Sequence, residues 1–336
     1  MDNLLILIII IFNFFLFSQN DLISNKINLF DLPDNNRKIH SKKIALTGGV
    51  FIFVNFIIFI SIPFISFFNN LNFIFQLKRE LFSLVFLITL LFLVGLYDDK
   101  YNINPLKKFV LSGFIILVAL LIDENLIISE LNFYTANYKL NLLNLSIPFT
   151  LLSILLFLNA LNMFDGIDLQ VSTYIFLIFI FIIFRFNAHF LILLLPVFLF
   201  IIYYNSKKKI FLGDSGTNIL AGLVSFYIIK FYNSNVNIVY CEEIFLIMLL
   251  PGVDMLRLFV MRIFKGKNPF YPDNQHIHHL YLKKFSNNLT FFIIQLHIFI
   301  PIILYYYLKI QILFLICFSL ILYILAIFYL KHKIKN

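Results

Sequence analysis

Residues 81–100 read LFSLVFLITLLFLVGLYDDK. From Leu81 to Tyr97 no side chain carries a charge, and the run then ends on Asp98, Asp99 and Lys100. About 20 predominantly apolar residues suffice to cross the hydrocarbon of a bilayer. Similar runs recur along the chain. Apolar residues make up 61% of the 336 positions, charged residues 13%, and the mean hydropathy is +0.94. A soluble domain of this size carries roughly 25% charged residues. The excess Phe, Ile and Leu cannot all be buried in one core, so water is not the main solvent for these surfaces. The sequence predicts an all-α, polytopic transmembrane helical bundle.

Eleven candidate spans lie near 3–19, 46–68, 81–97, 109–122, 147–164, 171–186, 188–204, 211–230, 244–262, 290–308 and 311–330, with ten as the alternative count. The first has Asp2 and no basic residue before its apolar run, and no small-residue cleavage site follows, so it reads as a retained span. Of the 26 Lys and Arg, twenty fall on one set of loops and span ends and six on the other. The positive-inside rule then puts the N-terminus outside and the C-terminus in the cytoplasm. All five Glu (including Glu80, Glu242 and Glu243) fall on the outer side, whereas the cytoplasmic loops use Asp alone. Chemistry is therefore expected at the cytoplasmic face. The net charge of +9 is spread over short loops, which argues against nucleic acid as a partner. Cys241 and Cys317 lie far apart, and neither a disulfide framework nor a Cys-based metal site is indicated.

Five stretches could carry reactivity. Gly95-Leu96-Tyr97-Asp98-Asp99-Lys100 places two adjacent carboxylates at a membrane boundary, where they repel unless a cation lies between them. A divalent metal with oxygen ligands would resolve this, and a solvated turn ending the helix is the plainer alternative. Asn159, Asn162, Asp165 and Asp168 recur every third residue at the end of an apolar span, and Gly166 is placed to end the helix. Interhelical hydrogen bonding is the alternative there. Phe211-Leu212-Gly213-Asp214-Ser215-Gly216-Thr217 opens a span whose positive end favours an anion, or is simply capped by Asp214. Asn268 to His279 contains His276, His278 and His279 beside acidic positions and Lys-rich loops. Phosphate recognition suits it better than zinc, and if the segment is helical His276 and His279 share a face while His278 points elsewhere. Arg37, Lys38 and His40 precede Thr47-Gly48-Gly49, where a diglycine would suit a phosphate-bearing ligand, with simple positive-inside charge as the alternative. Asp254 lies three residues before Arg257 within a span, which fits a structural ion pair.

Taken in order, the stretches DLPDNNRKIHSKKIALTGG, GLYDDKYNINPLKK, NALNMFDGID, FLGDSGT and PFYPDNQHIHHL resemble the polyprenyl-phosphate N-acetylhexosamine-1-phosphate transferases, glycosyltransferase family 4. The last looks most like the N-acetylglucosaminyl branch. The resemblance implies one integral membrane domain over 1–336, with its site in loops around 31–49, 95–108, 159–168, 211–218 and 266–280. It implies magnesium-dependent transfer (manganese is the alternative ion) of HexNAc-1-phosphate, GlcNAc-1-phosphate first, from a UDP-sugar to undecaprenyl phosphate. UMP is released and a lipid-linked envelope glycan begins, at the cytoplasmic face of the cytoplasmic membrane. UDP-GalNAc, a modified HexNAc and UDP-MurNAc-pentapeptide are alternative donors, and a homodimer is an alternative assembly.

By matching position, the resemblance gives Asp98 the task of orienting or deprotonating the lipid phosphate. Asp99 and Asp214 would hold the metal. Asn159, Asn162, Asp165 and Asp168 would line the nucleotide side, with Asp165 and Asp168 placed with Asp98 and Asp99 among the catalytic acids. His276, His278 and His279 would meet the diphosphate or sugar, while Lys108, Lys38, Arg37 and His40 would meet phosphate. Two departures stand out. Leu169 and Gln170 follow the DGID element where the family usually has Gly-Leu, and Ile44-Ala45-Leu46 precedes the diglycine where the family commonly has Pro. A transporter using intramembrane carboxylates is the reading from a different class, but no internal repeat supports it.

Overall fold

The computed structural model describes residues 3–33, 42–64, 78–234, 239–270 and 273–335, the side chains of 332–335 excepted. Where its residues are described, each of the eleven apolar stretches is mainly helical. Among the described residues, seven helices are long and apolar enough to cross a membrane, or eight if a bent pair counts as one span. The bent pair is α1 (Asn3–Ser18) with α2 (Asn20–Ile27), which meet at 56°. The protein is thus a polytopic helical membrane protein. The chain forms two compact units, Met1–Leu126 with Val171–Lys230, and Ile127–Gln170 with Phe231–Asn336.

The first unit contains α1, α2, α3 (Gly48–Ser61), α4 (Lys78–Tyr101) and α5 (Pro105–Ile122). To these it adds α7 (Gln170–Phe186) after its first residue, α8 (Leu195–Ser206), and α9 (Gly213–Asn233) up to Lys230. Proline at the first turn of α5 and α8 costs no hydrogen bond there, because those amides have no intrahelical acceptor. The Asn104 side chain caps α5 by accepting from Leu106 N at 2.9 Å. Helix α9 is buried along most of its length: Ile219, Leu220, Leu223, Val224 and Phe226 are covered, and so are the polar Ser215, Thr217, Asn218 and Ser225. In α1 and α3, Asn13 and Asn55 exchange two amide hydrogen bonds (2.8 and 2.9 Å), satisfying both groups where water is absent. A two-residue strand pair, β1 (Phe30–Asp31) with β2 (Ile44–Ala45), extends through a bridge from Ala45 to Ile210, at the segment leading into α9.

Without water between them, helices in a bilayer are held by close packing and polar contacts. The entry to α9 shows this most tightly. Gly48 N donates to Phe211 O and Gly49 N to Leu212 O, each at 3.1 Å. A Cβ on Gly49 would strike Ser215 and the Gly216 amide. The diglycine therefore makes room for the loop before α9, where the sequence suggested room for a ligand. On the other side, a Cβ on Gly95 of α4 would lie 2.5 Å from Asp214 O and Ser215 Cα.

The second unit contains a hairpin, β3 (Glu130–Phe133) with β4 (Tyr138–Asn141), then α6 (Ser146–Phe164), α10 (Cys241–Phe264), α11 (Ile277–Leu282), α12 (Asn287–Leu308) and α13 (Ile312–Lys335). Helix α10 packs on α6, α12 and α13. The hairpin, which apolar periodicity did not reveal, is tied to α10 by Glu242. Its carboxylate accepts from Tyr134 N and Thr135 N at 3.1 Å and from Thr135 Oγ1 at 2.9 Å.

Because the atoms facing Gly95 are backbone, α4 and α9 must separate to accept any side chain. Gly95→Ala is expected to destabilise the folded protein by about 1–3 kcal/mol, the usual cost of overpacking. Thermal unfolding in detergent checks this, with Gly252→Ala, which meets nothing within 4 Å, as the control.

Candidate active site

In the first unit, the last turn of α4 presents Asp98 and Asp99 to different partners. Asp98 Oδ1 accepts from Ile103 N at 2.7 Å, closing the turn into α5, and Oδ2 pairs with Lys108 Nζ at 2.9 Å. The same ammonium reaches Asp214 Oδ2. Lys108, the second of the two lysines in the first turn of α5, is therefore shared between two carboxylates. Asp99 turns the other way. Its Oδ1 accepts from Asp214 N at 2.6 Å, and its Oδ2 accepts from Ser215 N at 3.0 Å and Ser215 Oγ at 2.6 Å. A carboxylate from α4 thus caps the N-terminus of α9, where unsatisfied amides and the helix dipole favour an anion. Gly213 admits this approach: its φ is +68°, and a Cβ there would lie 2.6 Å from Asp99 Oδ2.

The adjacent acids hence do not face one cation between them, as the sequence alone suggested. Asp98 and Asp214 share the lysine, and Asp99 holds the backbone that carries Asp214. The Asp214 side chain is 32% exposed against 11% for Asp98, so it is the more accessible carboxylate. Among the described residues, no group of three or more His, Cys, Asp or Glu forms a ready metal cage. Magnesium does not need one. It is held through one or two carboxylates plus substrate phosphates, and an all-oxygen donor set beside a phosphate-binding lysine suits it.

In the second unit, α6 ends at Asp165 (φ −78°, ψ 68°), followed by Gly166. Asn159 donates back to Leu155 O at 2.7 Å within its own helix, and Asp168 accepts from Asn287 Nδ2 of α12 at 3.3 Å. A Cβ on Gly166 would overlap the His278 imidazole, so this glycine brings the DGID turn against the histidine segment. Leu169 has φ +70°. That left-handed backbone favours glycine, which gives a physical reason for the Gly that the family usually has there.

The histidine segment hangs on Asp254, nearly inaccessible within α10. Its Oδ1 accepts from Arg257 Nη2 at 2.9 Å, the i,i+3 pair expected from the sequence, and from Tyr323 Oη at 2.8 Å. Its Oδ2 lies 2.9 Å from His276 Nδ1, and both oxygens lie 3.2 Å from Ile277 N. Arg257 also donates to Gln275 O at 2.7 Å. Nearby, Arg262 donates to Asp273 Oδ2 at 2.9 Å and Pro269 O at 2.7 Å, and Asp273 Oδ1 accepts from Gln275 N. Sequence reading missed Asp254, Arg262 and Tyr323 as supports of this loop, because their partners lie outside their own helix turns. The only signal available was that charges inside an apolar span need partners.

One expectation about the histidines is corrected. His276 has extended backbone (φ −60°, ψ 152°) and precedes α11, so helical spacing does not apply to it. His278 joins its neighbours: ring centroids lie 5.5 Å apart for His276 and His278 and 4.3 Å for His278 and His279. Arg37, Lys38 and His40 lie outside the described residues.

Burial, with His279 and His276 alongside, pushes the His278 imidazole well below the usual histidine range. His278 is then neutral in the folded protein while the unfolded chain takes up a proton below about pH 6.5, so stability falls as pH drops through that value. Replacing it by Gln is expected to flatten the loss of stability between pH 7 and 5, measured by thermal unfolding across that range.

Residues 81–232 match the glycosyl transferase family 4 model. Along most of its length the chain is also similar to proteins named undecaprenyl-phosphate alpha-N-acetylglucosaminyl 1-phosphate transferase. The one from Salmonella typhi is 26% identical over 291 residues, covering 81% of this chain and 74% of that protein. The one from Thermotoga maritima is 28% identical over 284 residues, covering 84% and 83%. For Escherichia coli K12 the values are 24% over 287 residues, 82% and 75%. The matched region contains Asp98, Asp99, Lys108, the Asn159–Asp168 element and Asp214, and the match bears out the resemblance read from the sequence.

Proposed function

We propose that this protein transfers a HexNAc-1-phosphate, GlcNAc-1-phosphate foremost, from a UDP-sugar to undecaprenyl phosphate and releases UMP, with magnesium as cofactor. The observation that carries this reading is the meeting of Asp98, Lys108 and Asp214 at the Asp99-capped entry to α9. The relatives' names carry the same transferred group, GlcNAc-1-phosphate, and the same undecaprenyl phosphate. The cluster faces the cytoplasm, on the positive-inside argument, and the product starts a lipid-linked glycan at the cytoplasmic membrane.

In this reaction an oxygen of the lipid phosphate attacks the sugar-bearing phosphorus in line. A new P–O–P bond forms, and the bond to UMP breaks. The second pKa of a phosphate monoester is near 6, so the nucleophile is already largely ionised. The difficulty is bringing anions together, and charge neutralisation outweighs proton removal. Lys108 neutralises and orients phosphate, with Asp98 fixing the ammonium. Asp214 is the first carboxylate for the metal, and Asp99 sets its backbone. Bound magnesium supplies further charge neutralisation on the phosphates. In the second unit, Asn162, Asp165 and Asp168 serve the nucleotide, and the Asp254-oriented His276, with His278 and His279, serves the diphosphate or sugar.

The test is UMP release by purified protein given undecaprenyl phosphate, magnesium and a panel of UDP-sugars. Lipid-dependent release from one donor, abolished by EDTA and restored by magnesium, is expected. Asp214→Asn is expected to lower kcat by roughly 100-fold or more, the scale of removing one preorganised electrostatic group. A folded preparation that releases no UMP from any donor would overturn the reading.

A further inference from the structure

The acidic cluster sits at one end of an antiparallel pair, α4 and α9. At the other end, Glu80 in the first turn of α4 forms an ion pair with Lys230 in the last turn of α9. Nineteen positions of helix at 1.5 Å per residue separate the two ends by about 28 Å. The Glu80 side chain is 8% exposed and that of Lys230 22%. Each charge also suits the dipole of its own helix, acid at the start of α4 and base at the end of α9. That alone would not bury them against each other.

Between the ends the two helices touch without slack. Gly95 faces the Asp214–Ser215 backbone, and Asn218 Nδ2 donates to Leu91 O at 3.3 Å. Gly222 leaves space that Ile88 and Leu91 fill; a Cβ there would lie 2.9 and 3.0 Å from their Cδ1 atoms. Packing this close allows discrete registers and resists gradual sliding. Polar contacts lock the pair at both ends, three hydrogen bonds to Asp99 at one and the Glu80–Lys230 ion pair at the other.

We propose that Glu80 and Lys230 are a positioning pair: they set the register of α4 against α9 and thereby the placement of Asp98 and Asp99 relative to Asp214. Their effect on turnover rests on the reading of that cluster as the reacting centre. Their effect on the register does not.

The experiment uses the full chain in lipid nanodiscs, with Glu80→Gln, Lys230→Gln, the exchanged pair Glu80→Lys with Lys230→Glu, and Glu80→Asp. Glu80→Asp keeps both charges, and so the fold, while shortening the acid. Two quantities are read: hydrogen exchange of the Asp214 and Ser215 amides, and kcat with donor KM for UMP release. The single neutral variants and Glu80→Asp are expected to speed exchange at those two amides. They should also lower kcat, about tenfold for the neutral variants, with donor KM within about twofold, as for lost transition-state alignment. The exchanged pair should recover both in part, because it restores the ion pair while setting each charge against its helix dipole. Folded variants with wild-type exchange at Asp214 and Ser215 would overturn the proposal, as would an exchanged pair no better than the single variants. If the wild-type protein releases no UMP, the proposed reaction fails while the exchange measurement still decides the register claim.

Discussion

The Asp99 carboxylate, set on the first amides of α9, is the contact on which the first unit turns. A helix start leaves four amides without intrahelical acceptors, and in a bilayer water cannot supply them cheaply. Here the acceptor comes from another helix, so satisfying α9 and positioning α4 are one event. Gly213 and Gly95 exist at this point because a carboxylate and a backbone must come within van der Waals distance of α9. The same contact divides two adjacent acids between two jobs. With Asp99 spent on the backbone, Asp98 is left to Lys108, and the lysine joins it to Asp214. The chemistry of the cluster is thus a by-product of how a helix start is satisfied.

The second unit solves a similar problem from the opposite direction. The four residues before α11, Asp273 to His276, are polar and form neither helix nor strand. Asp254, inside α10, gives this segment a fixed point by accepting from Arg257, Tyr323, His276 and Ile277 at once. For a buried carboxylate, such donors and the Arg257 guanidinium take the place of hydration. Arg262 and Asp273 hold the earlier part of the loop in the same manner. Both arrangements place the fixed charge on a long helix and leave the loop to follow it, which is how an irregular segment can present side chains reproducibly.

The sequence made the apolar framework legible because hydropathy needs no knowledge of partners. The apolar stretches are mainly helical where they are described, and the described acids Asp98, Asp99, Asp165 and Asp214 sit at helix ends. What stayed hidden depends on contacts between distant segments. Nothing local distinguishes Asp98 from Asp99, and their separate partners follow from where α9 begins. His276 reads as part of a helix until its extended backbone is known. The β3–β4 hairpin lies in a loop whose residues alternate too briefly to announce strands, and it is fixed by Glu242, more than a hundred residues away. The diglycine looked like a ligand cradle because space and filled space are indistinguishable in a sequence.

Buried charges deserve a different reading in this fold from the one they receive in a soluble core. Desolvating two ions costs several kcal/mol each, and their attraction often returns no more than that, so a buried pair is weak evidence for stability. Its use is to forbid alternatives, since any register that separates the partners leaves two bare charges. In a bilayer this matters more, because lipid tails are as apolar as the helix faces and apolar packing alone does not choose between neighbouring registers. Between α4 and α9, the glycine contacts at Gly95 and Gly222 and the Asn218–Leu91 hydrogen bond fix a close-packed register. Asp99 at the start of α9 and Lys230 at its end make a slide out of that register costly in both directions. The polar ends, together with the close packing between them, therefore decide where Asp214 stands relative to Asp98 and Lys108.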